Sequence, residues 1–200
     1  MEENTFDDLI AELQSITELN PTRYQYYHQL LHNRTIVFND SIDSDIVEKV
    51  YLPLKDFEND DSDEPITLIL NSMGGSVADG FFLANYIAKY KKKLIILITG
   101  YAASMAILFL CAGGKNPNVI RKCFPSTYGL IHDGYLTLGS NESKTAADYM
   151  EFNNRIDKSI RDFILENTSI TAEQYDAKTR HQWFLTAEEM KDLNIVDEIM

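Results

Sequence analysis

The sequence has few cysteines, a shortage of basic residues and no long apolar run. Its 200 residues include two cysteines, Cys111 and Cys123. Both lie in apolar surroundings, which favours free thiols in a reducing compartment, with a disulfide as the alternative. The sequence has 18 lysines and arginines and 31 aspartates and glutamates, so its net charge is −13. Nucleic acid and anionic membrane surfaces are therefore not expected as partners, because both would repel the chain.

The sequence also shows no sign of a membrane span or a secretory signal. No apolar run reaches the length of about 18 residues that crosses a bilayer. The longest candidate, residues 94–112, is interrupted by TGY at 99–101. The first ten residues, MEENTFDDLI, are acidic and lack the apolar core of a signal peptide. We expect a cytoplasmic protein that contacts no membrane.

Apolar runs alternate with amphipathic segments along most of the chain. Strands are predicted over residues 34–40, 65–71, 94–100 and 127–134 and at the C-terminal end. Helices are predicted over residues 1–20, 44–57 (capped by Ser44, with Pro53 near its end), 80–93 (closing on lysines), 103–112 and 143–168, and just before the last strand. This alternation indicates an α/β fold. We expect one domain over residues 34–200 and an N-terminal segment over residues 1–33.

Two of the predicted buried strands end in small-residue turns that lead into helices. TLILN runs into SMGGS (72–76), and LIILITG runs into YAAS (101–104). Ligands of open α/β sheets bind beyond the carboxyl ends of the strands, so both turns belong to the functional edge. Gly74 and Gly75 allow a sharp turn whose N–H groups can hold an oxyanion, although an ordinary turn also explains a double glycine.

Ser104 has two interpretations at the start of a predicted helix. Its hydroxyl can cap the helix, or it can act as a nucleophile, with Ala102 and Ala103 leaving room for a substrate. A nucleophilic serine needs a base. Of the four histidines, His132 ends a predicted strand, in GLIHDG, from which it could reach a serine at a neighbouring strand end.

The order of these segments resembles the proteolytic subunit of the Clp protease. ILNSMGGSVADG, ITGYAASMAILFLCAGG, GLIHDG and WFLTAEEMKDLNIVDEI follow one another within residues 34–200. Residues 100–106 match the family's G-x-A-A-S-M-A in full, and residues 131–132 match its I-H. Met73 replaces the proline of N-S-P-G-G-S. The resemblance implies a crotonase-like fold of short spiral β-β-α repeats, with residues 143–168 as the protruding handle helix through which two rings stack.

The resemblance also implies a serine endopeptidase that cleaves unfolded polypeptides or peptides inside a closed assembly. Ser104 would be the nucleophile and His132 the general base. The N–H groups of Gly74, Gly75 and Met105 would form the oxyanion hole. No metal or cofactor is expected in this chain. ATP would be used by a partner AAA+ unfoldase. The expected assembly is a pair of stacked heptameric rings, made of this chain alone or mixed with a paralogue.

The family's catalytic triad has a third member besides the serine and the histidine, and at this position the sequence departs from the family's pattern. The family has an aspartate where a gap-free match puts Gln182, and neither His181 nor Trp183 beside it is an acid. An amide supplies no negative charge to the imidazolium. A catalytically weakened subunit that modulates a mixed ring is therefore the alternative function. The nearby acids are Asp133, Glu173 and Asp176, of which Asp133 should point away from His132.

The strand before the SMGGS turn bears on the choice of partner. Family members carry aromatic residues on the strand before N-S-x-G-G, where docking loops of the unfoldase bind. Here that strand, ITLIL, has no tyrosine, so its unfoldase differs or is missing.

A remote alternative is a crotonase-type acyl-CoA enzyme, which uses similar glycine turns but needs a carboxylate base and gives no role to Ser104 or His132.

Overall fold

The computed structural model describes residues 28–132 and 143–200, so the helix predicted over residues 1–20 lies outside the described residues. The strands are β1 (Thr35–Phe38), β2 (Ile66–Ser72), β3 (Leu94–Ala103), β4 (Val119–Cys123), β5 (Tyr128–Ile131), β6 (Trp183–Thr186) and β7 (Glu198–Ile199). The helices are α1 (Leu52–Asn59), α2 (Val77–Ile87), α3 (Ile107–Gly113), α4 (Ser143–Asn167), α5 (Ala172–Lys178) and α6 (Ala187–Asp192). A π-helical turn, Val47–Tyr51, precedes α1, and a 3-10 turn, Ser104–Ala106, precedes α3.

The strands form one mixed sheet in which β3 has two sets of neighbours. β1, β2, β3, β4 and β7 lie side by side in that order, and all their pairings are parallel. β4 pairs with β3 as far as Ile98, and β5 pairs with β3 from Tyr101 onward, also in parallel. β6 adds to β5 in the antiparallel sense. The last residues of β3 and β5 therefore lie next to each other.

Asn71 holds the sheet together where the β2–β3 pairing shifts register, between Leu70 and Ser72. Its Oδ1 accepts a hydrogen bond from the Tyr101 N–H at 3.0 Å, and its Nδ2 donates to Asn39 Oδ1 at 2.6 Å. A Cβ at position 100 would lie 2.4 Å from Asn71 Oδ1, so glycine leaves the room that this amide needs. The end of β3 is thereby fixed relative to β2.

A buried arginine joins the C-terminal strand to the rest of the sheet. Arg121, on β4, is only 2% exposed. Its Nε donates to Asp197 Oδ2 at 3.0 Å, and its Nη1 donates to the Asn194 C=O at 2.8 Å. A buried guanidinium is tolerated only when its donors are satisfied, so these bonds fix the segment that leads into β7 against β4.

The prediction for residues 44–57 is wrong in its first turn and its cap. Helical structure begins with the π-helical turn, no side chain caps it at Ile46, and α1 follows. Pro53 explains the change of helix type: it has no N–H to donate to a preceding carbonyl and fits only the first turn of an α-helix. Ser44 contributes its backbone C=O, which accepts from the Val47 N–H at 3.3 Å.

The helix predicted over residues 80–93 is displaced towards the N-terminus. α2 starts after Ser76, whose side chain accepts a hydrogen bond in the first turn, and ends at Ile87. Asn116 Nδ2 donates to the Ile87 C=O at 2.9 Å and so satisfies a carbonyl at the helix end. The lysines at 91–93 lie beyond the helix and do not serve its dipole.

The other predicted elements in the described ranges are present, with shifts at their ends. The strand predicted over residues 127–134 ends at Ile131, and residues 133–134 lie outside the described residues. β4, α5 and β6 have no counterpart in the sequence prediction. Both cysteines are free and buried, as predicted, and burial raises the pKa of the Cys111 thiol to about 12. Within residues 28–132 and 143–200, no helix combines the length and apolarity needed to cross a bilayer.

Candidate active site

Ser104 stands at a sharp turn between β3 and α3. Its φ is +53°, in the left-handed region, which costs a non-glycine residue on the order of 1–3 kcal/mol. The cap position before the 3-10 turn is Ala103, and no side chain caps it. Ser104 is thus not the helix cap of the alternative interpretation. A strained strand–turn–helix corner is the arrangement that holds the nucleophilic serine of several hydrolases.

The turn after β2 packs directly against this corner. Gly74 has a φ of +93°, and a Cβ on it would lie 2.6 Å from the Ala103 carbonyl oxygen and 2.9 Å from the Met105 nitrogen. Only glycine permits this approach. The Gly74 N–H donates to Ser72 Oγ at 3.2 Å, and Ser72 Oγ donates to the Asp40 C=O at 2.6 Å. The Gly74 N–H therefore already serves the turn.

Gly75 presents its N–H in another direction. The Ile42 N–H donates to the Gly74 C=O at 2.9 Å, and the Ser76 N–H donates to the Ile42 C=O at 2.8 Å, which makes a parallel bridge. The residue in the middle of such a bridge points its own N–H away from the partner strand. Gly75 also lines the same cleft as Ser104. Its N–H is better placed than that of Gly74 to meet a ligand there.

His132 follows β5 at the edge of the sheet where Ser104 lies. The parallel β3–β5 ladder ends with the pair Ala103–Leu130, so Ser104 and His132 leave neighbouring strands close to the same point. Both residues are half-buried. Both line one cleft of about 290 Å³. The structure therefore brings together the serine and the histidine that the sequence singled out.

Gln182 lies on the other side of β5 from Ser104. The antiparallel β5–β6 ladder ends with the pair Ile131–Trp183, and its register continued by one step would set Gln182 opposite His132. Residues opposite each other in such a ladder project to the same face. Gln182 is exposed and is not among the described residues that line the cleft.

The acids near this position differ in what they already bind. Asp176, on α5, accepts hydrogen bonds from Nε and Nη2 of Arg161 at 2.7 and 2.9 Å. The Arg161 guanidinium holds the pKa of Asp176 below its usual range. Asp176 is thus part of the contact between α4 and α5. Glu173 lies in the first turn of α5, and Asp133 lies outside the described residues.

α4 adds two polar residues to the cleft that the sequence patterns did not reveal. Asn153 and Asp157 line it together with Ser104 and His132. Asn153 Nδ2 donates to Asp157 Oδ2 at 2.9 Å. Their spacing of four residues puts them on one face of α4, and this period is visible in the sequence. The sequence does not show that this face covers the nucleophile.

Two larger depressions lie elsewhere on the surface. One, of about 480 Å³, lies beside Arg121, and the other, of about 510 Å³, lies beside Asp176 between α4 and α5. Neither is lined by a serine, a cysteine or a histidine. In the part of the chain that the structure describes, no group of three or more histidine, cysteine or acidic side chains could hold a metal ion.

Comparison with known proteins shows which family and which fold the chain matches. The model of the Clp protease family matches residues 18–200. A solved structure similar to this chain is that of an asparagine-to-aspartate mutant of ClpP1 from Listeria monocytogenes. It has a TM-score of 0.74 and 27% sequence identity, over 88% of this chain and 95% of that one. The match confirms the α/β, crotonase-like fold that the sequence predicted.

Proposed function

The chain belongs to the Clp protease family, and on that premise we propose that it is a serine endopeptidase subunit acting on unfolded polypeptides or peptides. Membership of this family implies a serine peptidase in general. The observation that carries the specific proposal is the strained corner at Ser104, which shares one cleft with His132.

The first half of the reaction forms an acyl-enzyme. Ser104 Oγ attacks the carbonyl carbon of the peptide bond while a ring nitrogen of His132 takes its proton. The oxyanion of the tetrahedral intermediate accepts hydrogen bonds from the N–H groups of Gly75 and Met105. Gly74 contributes the close approach of the two turns. The protonated His132 then gives its proton to the leaving amine, and the C–N bond breaks.

The second half releases the acyl group. His132 takes a proton from a water molecule, which attacks the ester carbonyl of acylated Ser104. The same two N–H groups stabilise the second oxyanion. Collapse of that intermediate breaks the ester bond, and His132 returns the proton to Ser104 Oγ. The peptide leaves with a new carboxylate.

Gln182 favours a second candidate, a catalytically weakened subunit. Its amide oxygen can accept a hydrogen bond from the imidazole of His132 and orient the ring, but it carries no charge. In serine proteases an amide in place of the acid lowers kcat by about 10⁴. A subunit with this substitution would turn over slowly alone and would shape a mixed ring with an active paralogue.

Members of this family form stacked oligomeric rings, and we propose the same assembly for this chain. Supporting evidence comes from the first half of α4, where Tyr149, Met150 and Phe152 are half exposed or more. Large apolar side chains exposed together mark interfaces. An AAA+ unfoldase is the proposed further partner, and the free thiols fit a reducing cytoplasm.

A fluorophosphonate probe tests the nucleophile directly, because it reacts only with an activated serine. We expect labelling of the wild type, no labelling of Ser104→Ala and strongly reduced labelling of His132→Asn. Ser159→Ala is the matched control, since Ser159 is exposed on α4 and bonds only its own helix backbone in the described contacts. Wild-type labelling of Ser104→Ala would refute the assignment. Labelling at Ser104 would also exclude the acyl-CoA alternative, which gives that serine no role.

A further inference from the structure

We propose that Asn71 is a positioning residue for the nucleophile, because its side chain fixes the part of β3 from which Ser104 projects. This inference rests on the proposed function of Ser104. Asn71 belongs to β2 and is not among the described residues that line the cleft. It therefore acts through the backbone that precedes Ser104 and not through contact with the substrate.

The part of β3 that leads to the nucleophile contains a bulge. The pairs Leu70–Ile98 and Ser72–Ala102 enclose one residue of β2, Asn71, but three residues of β3. One residue cannot offer ladder partners to three, so the backbone of the bulge needs other hydrogen bonds. Without them, the end of β3 would have no fixed position relative to β2.

β3 also changes its other neighbour at this bulge. It pairs with β4 as far as Ile98 and with β5 from Tyr101 onward. The Tyr101 N–H donates to Asn71 Oδ1 at 3.0 Å. A side-chain oxygen thus takes the place of a backbone acceptor at the point where β3 resumes pairing, three residues before Ser104.

The amide of Asn71 is held at its other end as well. Its Nδ2 donates to Asn39 Oδ1 at 2.6 Å, just after β1. Gly100 packs against the same amide, because the three atoms nearest to a Cβ at position 100 would all belong to the Asn71 side chain. The amide therefore has one orientation, in which Oδ1 faces the bulge.

A displacement at Tyr101 reaches the nucleophile because the two residues between them are tightly packed. Ala102 and Ala103 are at most 1% exposed and pair with β5. Such a segment moves as a unit, and a misplacement of about 1 Å at a reacting atom can cost about 10² in rate. Helices α2, α3 and α4 supply most of the apolar side chains of the cleft. The loss should therefore appear in kcat, with KM unchanged.

The time course of fluorophosphonate labelling at Ser104 tests this role. Asn71→Leu removes the acceptor at similar volume and should lower the labelling rate constant and kcat by about 10². Asn71→Asp keeps an oxygen for the Tyr101 N–H and should stay within about threefold of wild type. A role in stability alone would lower the fraction labelled at completion and not the rate constant. Tyr90→Phe, which removes a buried hydrogen bond to the Leu54 C=O outside the cleft, is the control and should keep the wild-type rate constant.

Gly100→Ala tests the same contact from its other side. Its Cβ would push the Asn71 amide away from the bulge, and the labelling rate constant should fall by about tenfold or more. In an Asn71→Ala background the Cβ has room, so adding Gly100→Ala should change the rate constant by less than about twofold. Two losses that multiply would contradict the coupling between these residues.

The outcomes separate this inference from the function on which it rests. Equal rate constants for wild type and Asn71→Leu, both labelled at Ser104, would overturn the positioning role alone. No labelling of Ser104 in the wild type would overturn the proposed nucleophile and this role with it. Circular dichroism checks that each variant folds. If Asn71→Leu does not fold, the Gly100→Ala comparison in the two backgrounds decides between positioning and stability.

Discussion

Gly74 and Ser104 approach each other so closely that a Cβ on the glycine would lie 2.8 Å from the serine Cβ. The two residues lie on separate turns, one after β2 and one after β3. The other nearest atoms, on Ala103 and Met105, belong to the backbone and cannot rotate away. The position of the proposed nucleophile therefore depends on the missing side chain at position 74.

Gly74→Ala should displace the corner at Ser104. We expect kcat/KM for peptide cleavage to fall by about 10² or more, because a shift of about 1 Å is enough to spoil attack geometry. Stability should fall by about 2 kcal/mol from the clash and the positive φ. Peptidase assays and urea unfolding measure the two effects. Met73→Ala, at the exposed neighbouring position, should change the free energy of unfolding by less than about 0.5 kcal/mol. Wild-type activity in Gly74→Ala would contradict the geometry.

Ser104→Gly and Ser104→Ala should both be inactive but differ in stability. Glycine adopts a φ of +53° without steric cost, whereas alanine keeps the strain of the serine. We expect the glycine variant to be more stable than the alanine variant by about 1 kcal/mol, measured from the midpoints of urea unfolding. An alanine variant that is equally or more stable would show that the corner is not strained.

Gln182→Asp and Gln182→Glu should both be tested for a gain in activity. A carboxylate at position 182 would add a negative charge that can stabilise the imidazolium, and kcat should rise by about tenfold or more. Aspartate is one methylene shorter than glutamine, so Gln182→Glu tests whether the carboxylate must extend as far as the glutamine amide does. Gln182→Asn is the uncharged control for the aspartate variant and should not gain. No gain in either acidic variant would mean that another carboxylate serves His132. That carboxylate would not be the one of Asp176, because Asp176 already binds Arg161.

Asp197 should make stability depend on acid pH through Arg121. Burial opposes ionisation of Asp197, but the Arg121 hydrogen bonds outweigh it and lower its pKa. A lowered folded-state pKa gives stability that is full above the unfolded value of about 3.9 and is lost as the pH falls through the folded value. The Asp197 side chain is 36% exposed, so solvent screens the pair. Asp197→Asn should cost about 1–2 kcal/mol at pH 7.

The same comparison below pH 4 provides the check on that linkage. Protonation removes the charge of the wild-type carboxyl, so the difference in unfolding free energy between wild type and Asp197→Asn should shrink there. Asp192→Asn, at an exposed position outside this network, should show no such dependence. A constant difference from pH 7 to pH 3 would contradict the role of the charge.

The purified chain should form large rings. Light scattering should give a mass many times the 22.9 kDa of one chain. Phe152→Asp, which puts a charge on the exposed apolar part of α4, should shift the population to smaller species. Lys158→Asp is the control on the exposed polar side of the same helix. A monomer at every concentration would refute the proposed assembly.

The strands near the site could be predicted because their sequences are nearly continuous apolar runs, as in β2 and in the first half of β3. β4 was missed because one of its buried positions is Arg121, whose charge breaks the apolar pattern. β6 was missed because it has four residues and only Leu185 of them is buried. Short edge strands owe their conformation to the neighbouring strand, which sequence periodicity does not report.

The proposed serine and histidine could be found from sequence because each ends a predicted strand in a specific motif. The different roles of the two glycines could not, because they depend on Ser72, which binds both Gly74 and Asp40. Asp157 could not be predicted as a residue of the cleft for a similar reason. Its place beside Ser104 follows from how α4 lies over the cleft, a tertiary contact between segments about 50 residues apart in the chain.

α3 has consequences for how this protein loses activity. All seven of its residues are buried, so the corner that carries Ser104 is anchored in the interior. Opening that corner would expose a large apolar area and should cost nearly as much as unfolding the whole domain. Heat or denaturant should therefore abolish turnover and global structure in one transition, and the α3 amides should be among the last to exchange with deuterium.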